Sequence, residues 1–529
     1  MMDIKSKILS SETLKSISRG IEKESLRVSP SGVLSPKSHP VGLGSALTHP
    51  QITTDFSESQ LELITGTHKS IEKCLAELKR IHQIVYENID DEYLWCSSMP
   101  CDLPDDKAIP LGAYGSSNVG MAKTIYREGL SHRYGRRMQM ISGIHYNFSI
   151  PNDTWALLEK DQSPSYLRKV RNSAYFALIR NFQREAWILL YLFGASPVIS
   201  STFANKKAQS LKSFTSGDMF LPLSTSLRMG PMGYQSDVQS SISVSYNSLS
   251  SYTRSLQQAL SEEYPPYASI GVKNNSGSYN QLSTTLLQIE NEFYSTIRPK
   301  RRINPGERAL HALHNRGVEY IEIRAIDLNP FSEVGIEANT IRFIDMFLLY
   351  CLVSESPPDS PKEILDIHHN QHVVAEYGRE PNITLSQNDR MLPLKDWGLK
   401  ILDSCRPIAS ALDSANETKD YSLTLDLAEE TIVDPEKSTS ASVLREITQK
   451  FGGSFTDFNL YHSSLHKKII KNEPYPPYLA EQDKASSQSS LFEQRKLEAN
   501  SNQKFEEYRK SYINQTRSLS HQRRTNVKN

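Results

Sequence analysis

The sequence predicts an α+β fold, a mainly antiparallel sheet packed by long helices. Short segments alternate apolar and ionisable residues with period two, as strands do when one face is packed and the other wet. Longer segments between them repeat apolar residues at three-and-four spacing, as amphipathic helices do. No internal repeat divides the chain, so these elements are expected to build one body.

Taken in order, the first strand lies in Gly20-Ile-Glu-Lys-Glu-Ser-Leu-Arg27, where Glu22 and Glu24 project from the same face. In 60–64, Leu61 and Leu63 oppose Glu62. Residues 71–89 read as a helix through Ile71, Cys74, Leu75, Leu78, Ile81, Val85 and Ile89. In 144–150, Ile144, Tyr146, Phe148 and Ile150 share one face, and His145 and Asn147 the other. One long helix is expected at about 166–192. A strand at 288–294 would turn Gln288, Glu290, Glu292 and Tyr294 to one side. In 318–324, Ile321 and Ile323 oppose Tyr320, Glu322 and Arg324. The helix expected at 337–353 is so apolar that most of its circumference must be buried.

The 529 residues carry 60 Lys+Arg against 60 Asp+Glu, 38% hydrophobic and 23% charged, the composition of a globular protein with a large core. A formal net charge of +0 argues against a surface that grips nucleic acid or anionic membrane over its whole extent. Five cysteines, at 74, 96, 101, 351 and 405, are too few and too scattered for a disulfide framework. Residues 1–20 lack the apolar core of a signal peptide. The greasiest runs, 186–193 and 341–353, fall short of the roughly 18–20 residues of a membrane span. A cytoplasmic location is expected, with no nucleic-acid or membrane partner.

The chemistry lies in the carboxylates. A lone E-x-E is usually a solvated strand face, but Asp55, Glu62 and Glu322 repeat the pattern beside packed aliphatics. An acidic sheet face with one imidazole, His145, and two guanidiniums, Arg228 and Arg324, suits Mg²⁺ bridging to polyphosphate. Carboxylates bring the metal and arginines clamp an anionic substrate. Glycoside hydrolysis needs two such acids, not five.

Several ordered motifs then resemble one family. They are Ser18-Arg-Gly-Ile-Glu-Lys-Glu-Ser-Leu-Arg27, Gly44-Ser-Ala-Leu-Thr-His49, Ile52-Thr-Thr-Asp-Phe56, Tyr126-Arg-Glu-Gly-Leu130 and Ile141-Ser-Gly-Ile-His-Tyr-Asn-Phe148. Tyr191-Leu-Phe-Gly-Ala-Ser-Pro197, Gln288-Ile-Glu-Asn-Glu-Phe-Tyr294, Ile297-Arg-Pro-Lys-Arg301 and Glu319-Tyr-Ile-Glu-Ile-Arg324 complete the set. Over about residues 15–475 the chain resembles the proteobacterial-type glutamate–cysteine ligases. The resemblance implies a funnel-like antiparallel sheet similar to the glutamine synthetase catalytic fold. It also implies ATP-dependent joining of the L-glutamate γ-carboxylate to the amine of L-cysteine through a γ-glutamyl phosphate.

Carried over, the resemblance puts two or more Mg²⁺ ions, with Mn²⁺ as the alternative, on Glu22, Glu24, Asp55, Glu62, His145 and Glu322. The amino-acid pocket falls on Phe56, Tyr126, Leu130, Gln139, Ile141, Arg228, Tyr234, Tyr294 and Arg324. Arg324 and Arg228 take the catalytic roles of binding phosphate oxygens and a substrate carboxylate. Arg298, Lys300 and Arg301 are candidates for ATP binding, against the alternative of a solvated turn around Pro299. Lys23, between the two glutamates where relatives often have Arg, should point away from the metals. The competing reading is a ligase of the same fold with a different amino-acid acceptor.

Other signals are set aside. The run 115–124 has the wrong spacing for a P-loop and reads as a surface loop near the active site. His368, His369 and His372 read as a solvent-facing cluster. The expected organisation is one catalytic unit over 1–480, with helical additions after about 333. Residues 481–529 form a polar tail, partly helical or disordered, whose removal should leave turnover intact. Residues 485–529 hold nine Lys/Arg against four Asp/Glu, so the tail is basic and the body mildly acidic. A monomer is expected.

Overall fold

The computed structural model describes residues 7–158, 161, 163–204, 209–233, 238, 242 and 244–517. Its centre is an antiparallel sheet of β1 (Ser18–Val28), β2 (Ile52–Thr54), β3 (Gln60–Ile64), β4 (Tyr93–Leu94), β5 (Ile144–Ser149), β6 (Ile297–Lys300) and β7 (Tyr320–Ile326). The strand order is β2-β3-β1-β5-β7-β6, with β4 paired to the end of β1. Residues opposed in an antiparallel pair share a face. Ile21, Tyr146 and Ile323 therefore align across three strands, and Phe148 and Ile321 across two.

That aliphatic face is the core. Ile21, Leu61, Leu63, Tyr146, Phe148, Ile321 and Ile323 are buried in one apolar cluster with helices α1 (Ile71–Asn88), α3 (Pro164–Glu185) and α5 (Ala338–Val353). α1 starts where Ser70 caps it, its hydroxyl accepting from Lys73 N at 3.1 Å. α5 presents apolar residues around most of its girth, as its sequence requires, and buries Asp345 among them. Asp345 is paired: Arg19 Nη2 of β1 lies 2.9 Å from Oδ2, and Tyr146 OH of β5 donates to Oδ1 at 2.6 Å. Lys23 points to this same side, its Nζ 2.7 Å from His82 Nε2 of α1, where burial pushes the amine down to about 7.

Three elements differ from expectation. The helix expected over 166–192 is two, α3 and α4 (Trp187–Phe193), because the chain tightens at Ala186, whose carbonyl accepts from Leu189 N at 3.0 Å. The segment 288–294 is no strand but a 3₁₀ turn at Glu290–Glu292. There Glu292 Oε2 accepts from Gln288 N at 2.6 Å, a side-chain bond that competes with ladder pairing. The run 115–124 is a loop only to Ser117, which caps α2 (Asn118–Tyr134) by accepting from Gly120 N.

Helices Pro361–Tyr377, Leu394–Asn416, Asp420–Val433, Thr439–Lys450 and Phe455–Asn472 follow α5. The sequence's histidine cluster sits on the first, with His368 and His369 exposed and His372 half-buried. Two more helices close the described chain, α6 (Pro477–Ala499) and α7 (Phe505–Arg517). Among the described residues no helix is long and apolar enough to cross a membrane.

Candidate active site

The second face of the sheet is acidic because the register makes it so. Glu24 stands directly opposite Glu62, Glu22 opposite His145, and Glu322 opposite both Asn147 and Arg298. The β5–β7 register shifts between Ile323 and Ile326, an irregularity that falls at Arg324. Asp55 sits just past β2, its carbonyl accepting from Tyr114 OH at 2.9 Å.

His145 is the hub. Its Nδ1 lies 3.4 Å from Glu22 Oε2, its Nε2 3.4 Å from Glu24 Oε1, and Arg324 Nη1 is 3.4 Å from Nδ1. Asn147 Nδ2 donates to Glu22 Oε1 at 2.8 Å, and Gly143 N to Glu24 Oε2 at 2.8 Å. Lys300 Nζ stands 3.0 Å and Arg324 Nη1 3.5 Å from Glu322 Oε1.

The face is divided electrostatically. Burial works to raise Glu322, yet Lys300 and Arg324 hold it well below the ordinary carboxylate range. Burial is likewise outweighed at Glu22, where the His145 hydrogen bond and Lys300 keep the carboxyl low despite neighbouring Glu322. At the β1–β3 side the balance reverses. Burial, then the charges of Glu22, Asp55 and Glu24, push Glu62 well above the usual range, and burial raises Glu24 too. A hard divalent cation would relieve this repulsion, and the donors fit one: single ligand atoms of Glu22, Glu62 and His145 lie within 4.8 Å of one another. Glu322 Oε2 is buried without a hydrogen-bond partner, a lone pair open to the same use.

Beside this face lies an apolar wall. Phe56, Leu130 and Ile141 are buried in a second cluster, with Tyr126 packed against it. Gln139 Nε2 donates to Tyr294 OH at 2.9 Å, and the Tyr294 ring meets that of Tyr134 edge-on at 5.9 Å. Arg228 is 2% exposed; its Nη2 donates to Arg324 O at 2.8 Å, and Nη1 lies 3.5 Å from Asp327 Oδ1. Gly143 makes room for it, since a Cβ there would stand 2.1 Å from Nη2. Tyr234 lies outside the described residues.

The basic run divides. Lys300 faces the carboxylates, whereas Arg298 spends its guanidinium on the carbonyls of Asn291 and Phe293. Arg301 binds Arg316 O at 3.1 Å and Glu319 at 3.4 Å, away from the cluster.

Three contributors escaped the sequence reading. Lys123 and Arg127 of α2 lie over the Tyr114 ring, 5.0 and 4.5 Å from its centroid. Burial and then Arg127 lower the Lys123 amine to about 8, against the pull of Glu62 and Asp55. Their four-residue spacing on a helix was the available signal. Asp327 also receives Ala195 N at 2.9 Å and Ser226 Oγ at 3.0 Å, so it fixes the base of Arg228.

Residues 4–374 match the family model described as glutamate-cysteine ligase. A glutamate–cysteine ligase of Saccharophagus degradans is 43% identical over 505 residues, 95% of each chain. One of Alcanivorax borkumensis is 44% identical over 508 residues, 95% of this chain and 96% of the relative. Among solved structures, a Francisella tularensis glutamate–cysteine ligase in complex with AMP superposes with a TM-score of 0.89 at 34% identity, covering 95% of this chain and 98% of that one. A bifunctional glutathione synthetase of Pasteurella multocida gives a TM-score of 0.66 at 27% identity, covering 88% of this chain and 53% of that one.

Proposed function

The chain belongs to the glutamate–cysteine ligase family, whose reaction is the ATP-dependent formation of γ-glutamylcysteine, the first step of glutathione biosynthesis, and we propose that its acidic sheet face is where that reaction runs. One observation carries the assignment: the register gathers Glu22, Glu24, Glu62, His145 and Glu322 on a single face, with Lys300 and Arg324 beside them.

Glu22, Glu24, Asp55, Glu62, His145 and Glu322 would hold two or more Mg²⁺ ions, and the imidazole among the oxygens also suits Mn²⁺. Such ions, when bound, neutralise phosphate charge so that two anions can approach. The glutamate side-chain carboxylate attacks the γ-phosphorus of ATP, the bond to the ADP oxygen breaks, and γ-glutamyl phosphate forms. Arg324 and Lys300 supply positive charge to the phosphoryl oxygens. The neutral amine of cysteine then adds to the acyl carbon, C–N forms, C–O breaks and phosphate leaves. No thiol of the enzyme takes part, which agrees with all five of its cysteines being buried.

Phe56, Tyr126, Leu130, Gln139, Ile141 and Tyr294 line the amino-acid side of this face, and Arg228 pairs with a substrate carboxylate. Arg228→Ala should raise KM for one amino-acid substrate about tenfold or more while KM for ATP stays within about twofold. Unchanged KM for both amino acids would remove that role.

The direct test supplies the protein with ATP, Mg²⁺ and glutamate together with each of a panel of amines. Phosphate release should depend on cysteine; release that is indifferent to cysteine would overturn the acceptor assignment. The five unpaired cysteines suit a reducing compartment, which supports a cytoplasmic location, and a monomeric single catalytic unit is the proposed state.

A further inference from the structure

Helix α7 carries none of the candidate ligands, yet it binds the two chain segments from which Tyr126 and Tyr294 project. Ile513 is buried in a small apolar cluster with Ala122 and Ile125 of α2 and with Leu282, and Tyr126 packs against that cluster. Arg509 Nη1 donates to Leu282 O at 2.6 Å, and Tyr279 OH donates to Glu506 Oε2 at 2.8 Å. The linker into α7 holds the start of α2, Asn118 N donating to Ser501 Oγ at 2.9 Å and Asn118 Nδ2 to Gln503 O at 2.9 Å.

From Leu282 the contacts run on to the pocket. Leu282 N donates to Gln288 Oε1 at 2.9 Å, and Gln288 Nε2 to Tyr126 O at 3.3 Å. Glu292 Oε1 accepts from Arg133 Nη1 and Tyr134 OH of α2, each at 2.8 Å, and the Tyr134 ring meets Tyr294. On the far side Arg308 donates its N–H to Gln515 Oε1 at 3.0 Å, lays its guanidinium 4.8 Å over Tyr512 and bonds Glu290 Oε2 at 2.9 Å.

We propose that α7 is a positioning element of the amino-acid pocket, fixing the distance between α2 and the 281–294 segment and hence between Tyr126 and Tyr294. It rests on the assignment of those two tyrosines to the pocket. A displacement of about 1 Å at a binding wall is enough to cost up to roughly 10²-fold. On this reading the C-terminal segment is not dispensable, in contrast to what its composition suggests.

The test uses the full chain with Ile513→Ala and Arg509→Ala combined. KM for glutamate or cysteine should rise about tenfold while KM for ATP stays within about twofold, and Ile513→Val alone should stay near the parent. Should the double variant be recovered unfolded, Tyr512→Leu, which removes only the ring beneath Arg308, should show the same split at smaller size. A fall in kcat that tracks the folded fraction, with every KM unchanged, would overturn the proposal. Tyr126→Ala separates the two readings. If it leaves both amino-acid KM values unchanged, the pocket assignment fails and takes the positioning role with it; if it raises one while the α7 variants raise none, the positioning role alone fails.

Discussion

Glu62→Gln should abolish turnover, by on the order of 10³-fold in kcat, while making the metal-free protein more stable at neutral pH. Both effects come from the same crowding. Glu62 stands opposite Glu24, with Glu22 and Asp55 adding to the negative field, and its carboxyl is pushed well above the ordinary range. A carboxyl raised on folding stabilises the native state at low pH and loses that contribution as pH climbs through the folded value. The parent protein, stripped of metal by EDTA, should therefore lose stability from about pH 4 upward more than Glu62→Gln does. Thermal unfolding of the two proteins across pH 4–8 reads the difference, which should vanish toward the acid end. Glu22→Gln should also lose turnover but with the opposite stability sign, since Glu22 is held below the ordinary range by His145 and Lys300 against its burial. A metal-free Glu62→Gln that is less stable than the parent at pH 7 would show that no unrelieved charge sits on this face.

The legible part of the molecule was whatever period two or three-and-four spacing could carry. Glu22, Glu62, His145 and Glu322 each alternate with aliphatics that had to be buried, so their common face followed once the strands paired antiparallel. What spacing could not carry was side-chain destination. Arg298 and Arg301 lie in one basic run with Lys300, yet carbonyls capture Arg298 and Glu319 captures Arg301. Lys123 falls in the run 115–124 that reads as a loop because Gly115 to Gly120 is rich in small residues, whereas Ser117 begins a helix there that also carries Arg127. The polar composition of 477–517 gave no hint of docking, because many of its contacts are hydrogen bonds, such as Asn118 N to Ser501 Oγ and Tyr279 OH to Glu506 Oε2, and its apolar contacts are the few that Phe505, Tyr508 and Ile513 make. At 288–294 the alternation was real but served acidic side chains that bond backbone, Glu292 that of Gln288 in its own turn and Glu290 that of Leu310 further along the chain.

The apolar side of the sheet holds the second large effect. Asp345→Ala should destabilise the protein by about 3–5 kcal/mol, because it strands Arg19, 3% exposed, as an unpaired charge between sheet and helix. Tyr146 OH loses its 2.6 Å acceptor at the same time, adding an unsatisfied hydroxyl that costs roughly 1–3 kcal/mol if no other partner is found. Arg19 sits on β1 three residues before Glu22, and Tyr146 sits between His145 and Asn147, so loosening this triad loosens the strands that carry the acidic face. Removing the whole triad is a different matter. The variant Arg19→Met, Tyr146→Phe, Asp345→Leu leaves neither an unpaired charge nor an unsatisfied hydroxyl, and should recover most of the loss. Urea midpoints for the parent, the single and the triple variant decide it. If the triple variant is no more stable than Asp345→Ala, the triad's contribution is its geometry and not the pairing of a buried charge.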